Sequence, residues 1–214
     1  MKLYTYFRSS AAYRVRIALN LKGLAYQAIP VHLLRDGGQQ KQAGYRQLSP
    51  LGLIPALQTE TGVFTQSLSI MEWLDESYPD QPLLPADTDS RARVRAIAQT
   101  IACDIHPINN LRVLNYLTSN FGISEEQKSD WYRHWINEGL AAIEKLLADD
   151  PRTGVFCHGD IPGIADCCLI PQVFNAHRFN CPMENLPTIR RIVAACGSLE
   201  AFQHAAPDRQ PDFE

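Results

Sequence analysis

Three short segments in the first third of the chain carry residue types that can bind and activate a small ligand. In the first, Arg8-Ser9-Ser10-Ala11-Ala12-Tyr13-Arg14-Val15-Arg16-Ile17-Ala18-Leu19, a β-rich run passes directly into a helix-like one. At such a junction the backbone N–H groups and the positive end of the helix dipole favour an anion, and a thiolate bound there has a depressed pKa. A serine hydroxyl completes its hydrogen bonding. Taken alone, a serine ahead of a helix is more commonly its cap, and the two roles are compatible at neighbouring positions. The second segment, Leu53-Ile54-Pro55-Ala56, places a proline at the entrance of a strand, one of the few strand positions where proline is tolerated. A cis Ile54–Pro55 bond would leave the N–H and C=O of Ile54 open to a peptide ligand, as a short antiparallel strand would pair; only about one X–Pro bond in twenty is cis. The third, Gln66-Ser67, opens another helix and suits a carboxylate, although an ordinary cap reads the same way.

The elements that must position these segments follow from periodicity. Leu3–Phe7 is a β-rich run; Ala11, Ala12, Val15, Ala18 and Leu19 recur at helical spacing until Lys22-Gly23 stops the helix, and Tyr26–Val31 reads as a second strand. Strand, helix and strand in about 30 residues make a βαβ unit with parallel strands. Asp36-Gly37-Gly38 breaks the chain, Gln39–Leu48 is a short helix, Ala56–Gln58 and Val63–Thr65 form a hairpin, and Ser67–Tyr78 is a third helix. Pro79, Pro82 and Pro85 mark a linker, and the pattern beyond it is helical throughout. Val94, Ile97, Ile101 and Ile105 line one long helix. Trp131, Trp135, Leu140, Ile143 and Leu147 line a second, with the Trp pair read as core packing. Shorter helices are expected at Ile164–Asn175, Thr188–Ala195 and Leu199–Ala205, and Pro207–Glu214 reads as a coil tail. The expected organisation is an α/β domain over 1–80, a linker over 81–88 and an all-helical domain over 89–214.

Composition narrows the partners. With 20 Lys and Arg against 23 Asp and Glu, the net charge of -3 gives no footprint for nucleic acid or an anionic membrane. No apolar run reaches the roughly 20 residues that span a bilayer, and the start lacks a signal-peptide apolar region, so a cytoplasmic protein is expected. Six cysteines without a Cys-x-x-Cys pair, and none in the first hundred residues, read as free and mostly buried thiols. Six scattered histidines have no metal-binding spacing, and no metal is expected.

The order and spacing of Ser9–Leu19, Asp36-Gly37-Gly38-Gln39-Gln40, Ile54-Pro55 and Gln66-Ser67-Leu68-Ser69-Ile70 resemble the zeta class of the glutathione transferase family. The resemblance continues through Ile105-His106-Pro107-Ile108-Asn109-Asn110-Leu111, Gly159-Asp160 to Asp166, Pro171-Gln172-Val173, Asn175–Phe179 and Arg209-Gln210-Pro211-Asp212. It implies a thioredoxin-like glutathione-binding domain (βαβαββα) followed by an all-helical domain, as a homodimer. It also implies that Ser9 contacts the glutathione sulfur with Ser10 beside it. Ile54 would pair with the cysteinyl backbone, Gln66 and Ser67 hold the γ-glutamyl carboxylate, Gln40 reaches the glycyl end, and His106 and Asn110 close over the ligand. Two positions depart from the pattern. Ala11 stands where the class has cysteine, so no protein thiol lies beside the glutathione sulfur. Gly163 replaces a capping Thr or Ser, leaving Asp166 to supply more of the local hydrogen bonding.

The zeta resemblance implies a returning thiol catalyst. Glutathione adds to a cis alkene conjugated to carbonyls, the new single bond rotates, and elimination gives the trans alkene. Negative charge develops on the substrate, so cations belong nearby. The candidates are Arg8, next to the thiol site, with Arg112 and Arg178, since a guanidinium can grip a carboxylate with two parallel hydrogen bonds. Arg8 is the first choice, its adjacency to Ser9 favouring a functional role over a solvated strand-end cation; a structural ion pair is the plainer meaning of Arg178, and a regular helix would turn Arg112 away from Asn110 unless Pro107 kinks it. His106 and the Asn109–Arg112 run are most similar to the subgroup that converts maleylpyruvate to fumarylpyruvate in aromatic-compound breakdown. The alternatives are isomerisation of maleylacetoacetate in tyrosine breakdown, permanent conjugation of glutathione to electrophiles, and a non-catalytic binding protein on the same fold.

Overall fold

The computed structural model describes residues 1–214, and its contacts divide them into two compact units, Met1–Leu84 with Gly197–Glu214, and Pro85–Cys196. The first unit is built on a four-stranded sheet of β1 (Lys2–Thr5), β2 (Gln27–Pro30), β3 (Ala56–Gln58) and β4 (Val63–Thr65), in the order β2-β1-β3-β4. Strand β1 runs parallel to β2 with Leu3 opposite Ala28, and antiparallel to β3 with Leu3 opposite Leu57; β3 and β4 form the hairpin. The crossover between β1 and β2 is α1 (Ser10–Leu21), and α2 (Ala43–Leu48) and α3 (Ser67–Ser77) complete the βαβαββα order expected from periodicity. Helix α1 ends where it should. Lys22 N–H bonds Ala18 C=O, Gly23 takes φ +63°, and Leu24 N–H returns to Leu19 C=O.

The stretch Gln39–Leu48 is one helix only in part: Gln39–Lys41 is a 3₁₀ turn and α2 begins at Ala43. Its neighbours Asp36, Gly37 and Gly38 all have positive φ, which explains the break. A buried ionic clamp ties the end of α1 to the segment after α3. Lys22 Nζ donates to Tyr78 C=O at 2.8 Å and Gln81 C=O at 2.7 Å, and lies 3.3 Å from Asp75, whose carboxylate accepts from Leu83 N–H.

The expectation that 89–214 forms the helical domain needs correction at its end. Helix α10 (Glu200–Ala205) belongs to the first unit because α1 offers it polar anchors: Arg16 Nε donates to Ala205 C=O at 2.9 Å and Asn20 to Ala201 C=O at 2.9 Å. Nor is Pro207–Glu214 a loose coil. A 3₁₀ turn at Pro207–Arg209 leads to Asp212, which accepts a hydrogen bond from Phe7 N–H.

The second unit is helical: α4 (Thr88–Gln99), α5 (His106–Ile108), α6 (Leu111–Phe121), α7 (Glu125–Ala148), α8 (Ile164–Arg178) and α9 (Pro187–Gly197). Val94, Ile97, Ile101 and Ile105 are all buried, as their spacing predicts, but the helix carrying them changes character. Thr100–Ile105 is a π-helical turn, and the chain leaves the helix at Asn109. Pro107 cannot donate the bond a straight α-helix would need there, so the loosened turn and a fresh start at α6 replace the single long helix. On α7, Leu140, Ile143 and Leu147 are buried, whereas Trp131 and Trp135 are half-buried. They form an edge-to-face pair 5.7 Å apart, and Trp131 Nε1 donates to Ile108 C=O at 3.0 Å. No helix is long and apolar enough to cross a membrane. Five cysteines are buried and Cys103 is exposed, all of them free thiols.

Candidate active site

The β1–α1 junction puts Ser9 at the N-cap of α1, with extended backbone angles and its Oγ accepting from Ala12 N–H at 3.3 Å. Because that bond uses an oxygen lone pair, the hydroxyl proton stays available to donate outward. Ser9 is half-buried, whereas Ser10 is only 7% exposed and lies inside the first turn. Cap and thiol donor are therefore compatible in the same residue. The first turn of α1 contains no acidic residue, and neither does that of α3, so no carboxylate neutralises the positive end of either helix.

Arg8 precedes the cap and is also half-buried. Its guanidinium packs against Phe7 (5.6 Å to the ring centroid) and Tyr6 (5.9 Å), with a long 3.4 Å contact from Nη2 to the Tyr6 hydroxyl. Burial pushes the Tyr6 phenol up and the Arg8 charge opposes it. No carboxylate pairs with Arg8 in a salt bridge, which leaves its positive charge for an anionic ligand.

The Ile54–Pro55 bond is cis. The turn before it is held by Leu53, whose C=O accepts from the hydroxyls of Tyr45 (2.8 Å) and Ser49 (2.9 Å). No sheet or turn bond uses the backbone N–H or C=O of Ile54, so neither is committed within the sheet or the turn. Ile54 shares one buried cluster with Tyr6, Phe7, Ala12, Val31, Tyr45 and Ala56. The same core therefore fixes the turn carrying Arg8 and Ser9 and the turn carrying Ile54.

Gln66 adopts φ +67° and ψ 118°, a backbone conformation that an L residue with a full side chain rarely takes. It sits at the N-cap of α3 with no side-chain capping bond, and it is exposed. Ser67, buried behind it, accepts at Oγ from Arg14 Nη1 at 3.2 Å. The guanidinium takes an oxygen lone pair, so the Ser67 hydroxyl is turned into a donor. Sequence reasoning does not single out Arg14. Its one signal is a charged residue inside the apolar run of α1, where it is 1% exposed.

Gln40 is 7% exposed; its Nε2 donates to Leu33 C=O at 3.3 Å, and its Oε1 has no hydrogen-bond partner in the protein. A Cβ on Gly38, which has φ +100°, would lie 2.8 Å from this amide. The glycine is thus what lets the Gln40 side chain fold in. A buried amide with a partnerless oxygen, an open Ile54 edge and two helix N-termini free of acid fit a peptide bearing carboxylates and a thiol, as glutathione does.

In the helical unit, Asn110 caps α6 through Arg112 N–H (3.1 Å), so Asn110 and Arg112 begin a new helix rather than sharing a kinked one. His106 is half-buried at the start of α5, and Arg112 is exposed. Arg178 is exposed near the end of α8, where Nη1 donates to Asn175 Oδ1 at 3.3 Å and the guanidinium lies over Phe179. Phe179 itself stacks on Tyr132 with centroids 3.6 Å apart. Asp166 takes up the work left by Gly163, as expected. Its carboxylate accepts from Gly163 N–H and Cys157 N–H, both at 2.9 Å, while burial pushes its pKa up. No group of three or more His, Cys, Asp or Glu is placed to hold a metal.

Comparison with known proteins decides the family. Residues 8–77 match the model for "Glutathione S-transferase, N-terminal domain" and residues 135–195 that for "Glutathione S-transferase, C-terminal domain". The chain belongs to the glutathione S-transferase family. A probable maleylacetoacetate isomerase of Vibrio cholerae is 49% identical, covering 98% of this chain and 97% of the relative. A bacterial zeta-class glutathione S-transferase solved as a holo structure, maleylpyruvate isomerase, is 48% identical and superposes with a TM-score of 0.97 over 100% of both chains. A maleylacetoacetate isomerase from Methylobacterium extorquens, solved with malonate and glutathione, is 39% identical, with a TM-score of 0.96 and 100% coverage of both chains. The zeta-class assignment made from motif order thus stands within this family.

Proposed function

We propose that this protein isomerises maleylpyruvate to fumarylpyruvate with glutathione as a returning catalyst, in a gentisate-type route of aromatic-compound breakdown. It is a glutathione-dependent isomerase of the maleylpyruvate and maleylacetoacetate type. The observation that carries the reading is the β1–α1 turn. It places a cap serine with a free-to-donate hydroxyl directly after an arginine that no carboxylate neutralises. Bound glutathione supplies a thiolate, which adds to the electron-poor alkene and leaves again once the resulting single bond has rotated.

The protein's own groups do the rest. Ser9 donates to the sulfur with the N-terminal dipole of α1 behind it, with Ser10 beside it, and this favours the charged thiol. Ile54 aligns the peptide by its backbone, Gln66 and Ser67 receive the γ-glutamyl carboxylate at the start of α3, and Gln40 meets the glycyl end. Arg8 stabilises the negative charge that the substrate gains in the transition state, where a fixed cation acts most strongly. His106 and Asn110 are assigned to glutathione, and Arg112 and Arg178 to the diacid, on their match to the family pattern. A homodimer in the cytoplasm is part of the same reading.

Maleylpyruvate is favoured because His106 and the Asn109–Arg112 run match that subgroup. The two diacids differ by about one methylene, a difference worth roughly 1–3 kcal/mol to a pocket. The test is kcat/KM for each with glutathione held constant. A preference for maleylpyruvate of about tenfold is expected, and an equal or opposite ratio would transfer the assignment to maleylacetoacetate.

A further inference from the structure

The C-terminal segment returns to the turn that carries Arg8 and Ser9. One amide there, between Tyr6 and Phe7, is gripped at both ends. Its oxygen accepts from Arg16 Nη1 at 3.3 Å and from Ser9 N–H at 3.0 Å, and its N–H donates to Asp212 Oδ2 at 2.9 Å. The next carbonyl, that of Phe7, accepts from Arg16 Nη2 at 3.0 Å. Arg16 is immobilised in turn: Nη1 also reaches Thr5 Oγ1 at 3.1 Å and Nε reaches Ala205 C=O at 2.9 Å. A cation at the oxygen and an anion at the N–H polarise an amide in the same sense, so each bond strengthens the other.

Charge explains why a carboxylate stands there. Arg16 is fully buried without a salt bridge, and burial pulls its guanidinium down to about 10; Asp212 is the one carboxylate among the groups that oppose this. The flanking residues hold the segment against the same turn. Phe213 meets Phe7 edge to face at 5.5 Å, and the Glu214 carboxylate bonds His32 Nε2 at 3.1 Å and pairs with Arg35. His32 Nδ1 accepts the N–H groups of Leu34 and Arg35, which fixes its proton on Nε2, facing Glu214.

We propose that Asp212 is a positioning residue for the isomerisation: by holding Phe7 N–H it sets the tilt of the β1–α1 turn, and so aims the Ser9 hydroxyl at the thiol and the Arg8 guanidinium at the diacid. This rests on the roles given to Ser9 and Arg8 above. Asp212 acts only through the peptide of Phe7. The glutathione-holding groups Gln40, Ile54, Gln66 and Ser67 lie on other segments, so a tilted turn should spoil the chemistry more than the binding.

The test compares the full-length protein with Asp212→Ala, Asp212→Asn and Asp212→Glu. Three quantities are read: the glutathione dissociation constant, the pH titration of thiolate absorbance in the glutathione complex, and kcat and KM for the maleyl diacid. Tyr6, Arg8, Tyr13, Arg16, Tyr26, His32, Arg35 and Glu214 are the titratable groups around the turn and are common to all four proteins, so differences between curves report the turn itself. Asp212→Ala is expected to lower kcat about tenfold and raise the bound thiol's pKa, with glutathione affinity within about twofold, since small misplacements of reacting groups cost rate steeply. Asn retains an acceptor for Phe7 N–H and should recover most of the loss; Glu, which displaces the acceptor by one methylene, should fall between and serves if the Ala variant does not fold. A wild-type thiol titration and kcat in Asp212→Ala or Asp212→Glu, or an Asn variant as impaired as Ala, would overturn the proposal. Should the wild-type protein isomerise neither diacid, the functional reading fails by itself, and the thiol titration alone still decides the role of Asp212.

Discussion

Ser9 and Ser10 differ in what their surroundings leave them to do. Ser9 spends a lone pair on Ala12 N–H and keeps its proton, whereas Ser10 is buried in the first turn. Ser9 is therefore the proposed thiol donor, and on that proposal Ser9→Ala should lower kcat about 10²-fold, the scale of removing one preorganised donor from developing negative charge. In the same variant the bound thiol's pKa should rise, so activity shifts to higher pH; a pH–rate profile checks this. Arg8→Met should raise the KM for the diacid or lower turnover while glutathione affinity stays near normal. Equal loss of glutathione binding would show that Arg8 serves the tripeptide instead. With Ala11 in place of cysteine, no neighbouring protein thiol competes for these roles.

At the scale of elements, caps and close approaches decide where chains start and helices meet. The Asp166 carboxylate serves two backbone donors, Gly163 and Cys157, at a site 1% exposed. Asp166→Ala should cost about 2–4 kcal/mol in urea unfolding, because the buried Cys157 N–H and the half-buried Gly163 N–H would lose their acceptor. On α7, a Cβ at Gly139 would overlap the Ile105 side chain, so Gly139→Ala must push that side chain out of the seat it occupies. A loss of about 1–3 kcal/mol is expected, read as a lower unfolding midpoint. Much of this layer was legible in the sequence. β-rich composition, turn residues and helical spacing located the four strands and the helices α1, α3, α7, α8, α9 and α10. Helix α6 was hidden because Pro107 suggested a kink in one helix, and only the Asn110 cap shows that a second one starts. The candidate site was readable where a residue's type is itself the signal, as at Ser9, Ile54-Pro55 and Gln66-Ser67. Arg14, Arg16 and Asp212 were not readable, since their roles lie in contacts with residues distant along the chain.

At the scale of the molecule, the chain forms two compact units, and the first includes the last 18 residues, Gly197–Glu214. The boundary escaped the sequence because α10 has ordinary helical periodicity, and only its pairing with Arg16 and Asn20 assigns it to the first unit. The homodimer of the proposed reading predicts a single sedimenting species of twice 24.0 kDa. A species of 24.0 kDa at working concentration would reject it. The central claim is that glutathione acts here as a catalyst rather than a reactant. It is tested by incubating the protein with excess cis maleyl diacid and a small amount of glutathione, following alkene geometry and free thiol together. Complete conversion to the trans diacid with the thiol undiminished is the predicted result; cis substrate left unchanged, or one thiol lost for each substrate consumed, would contradict it.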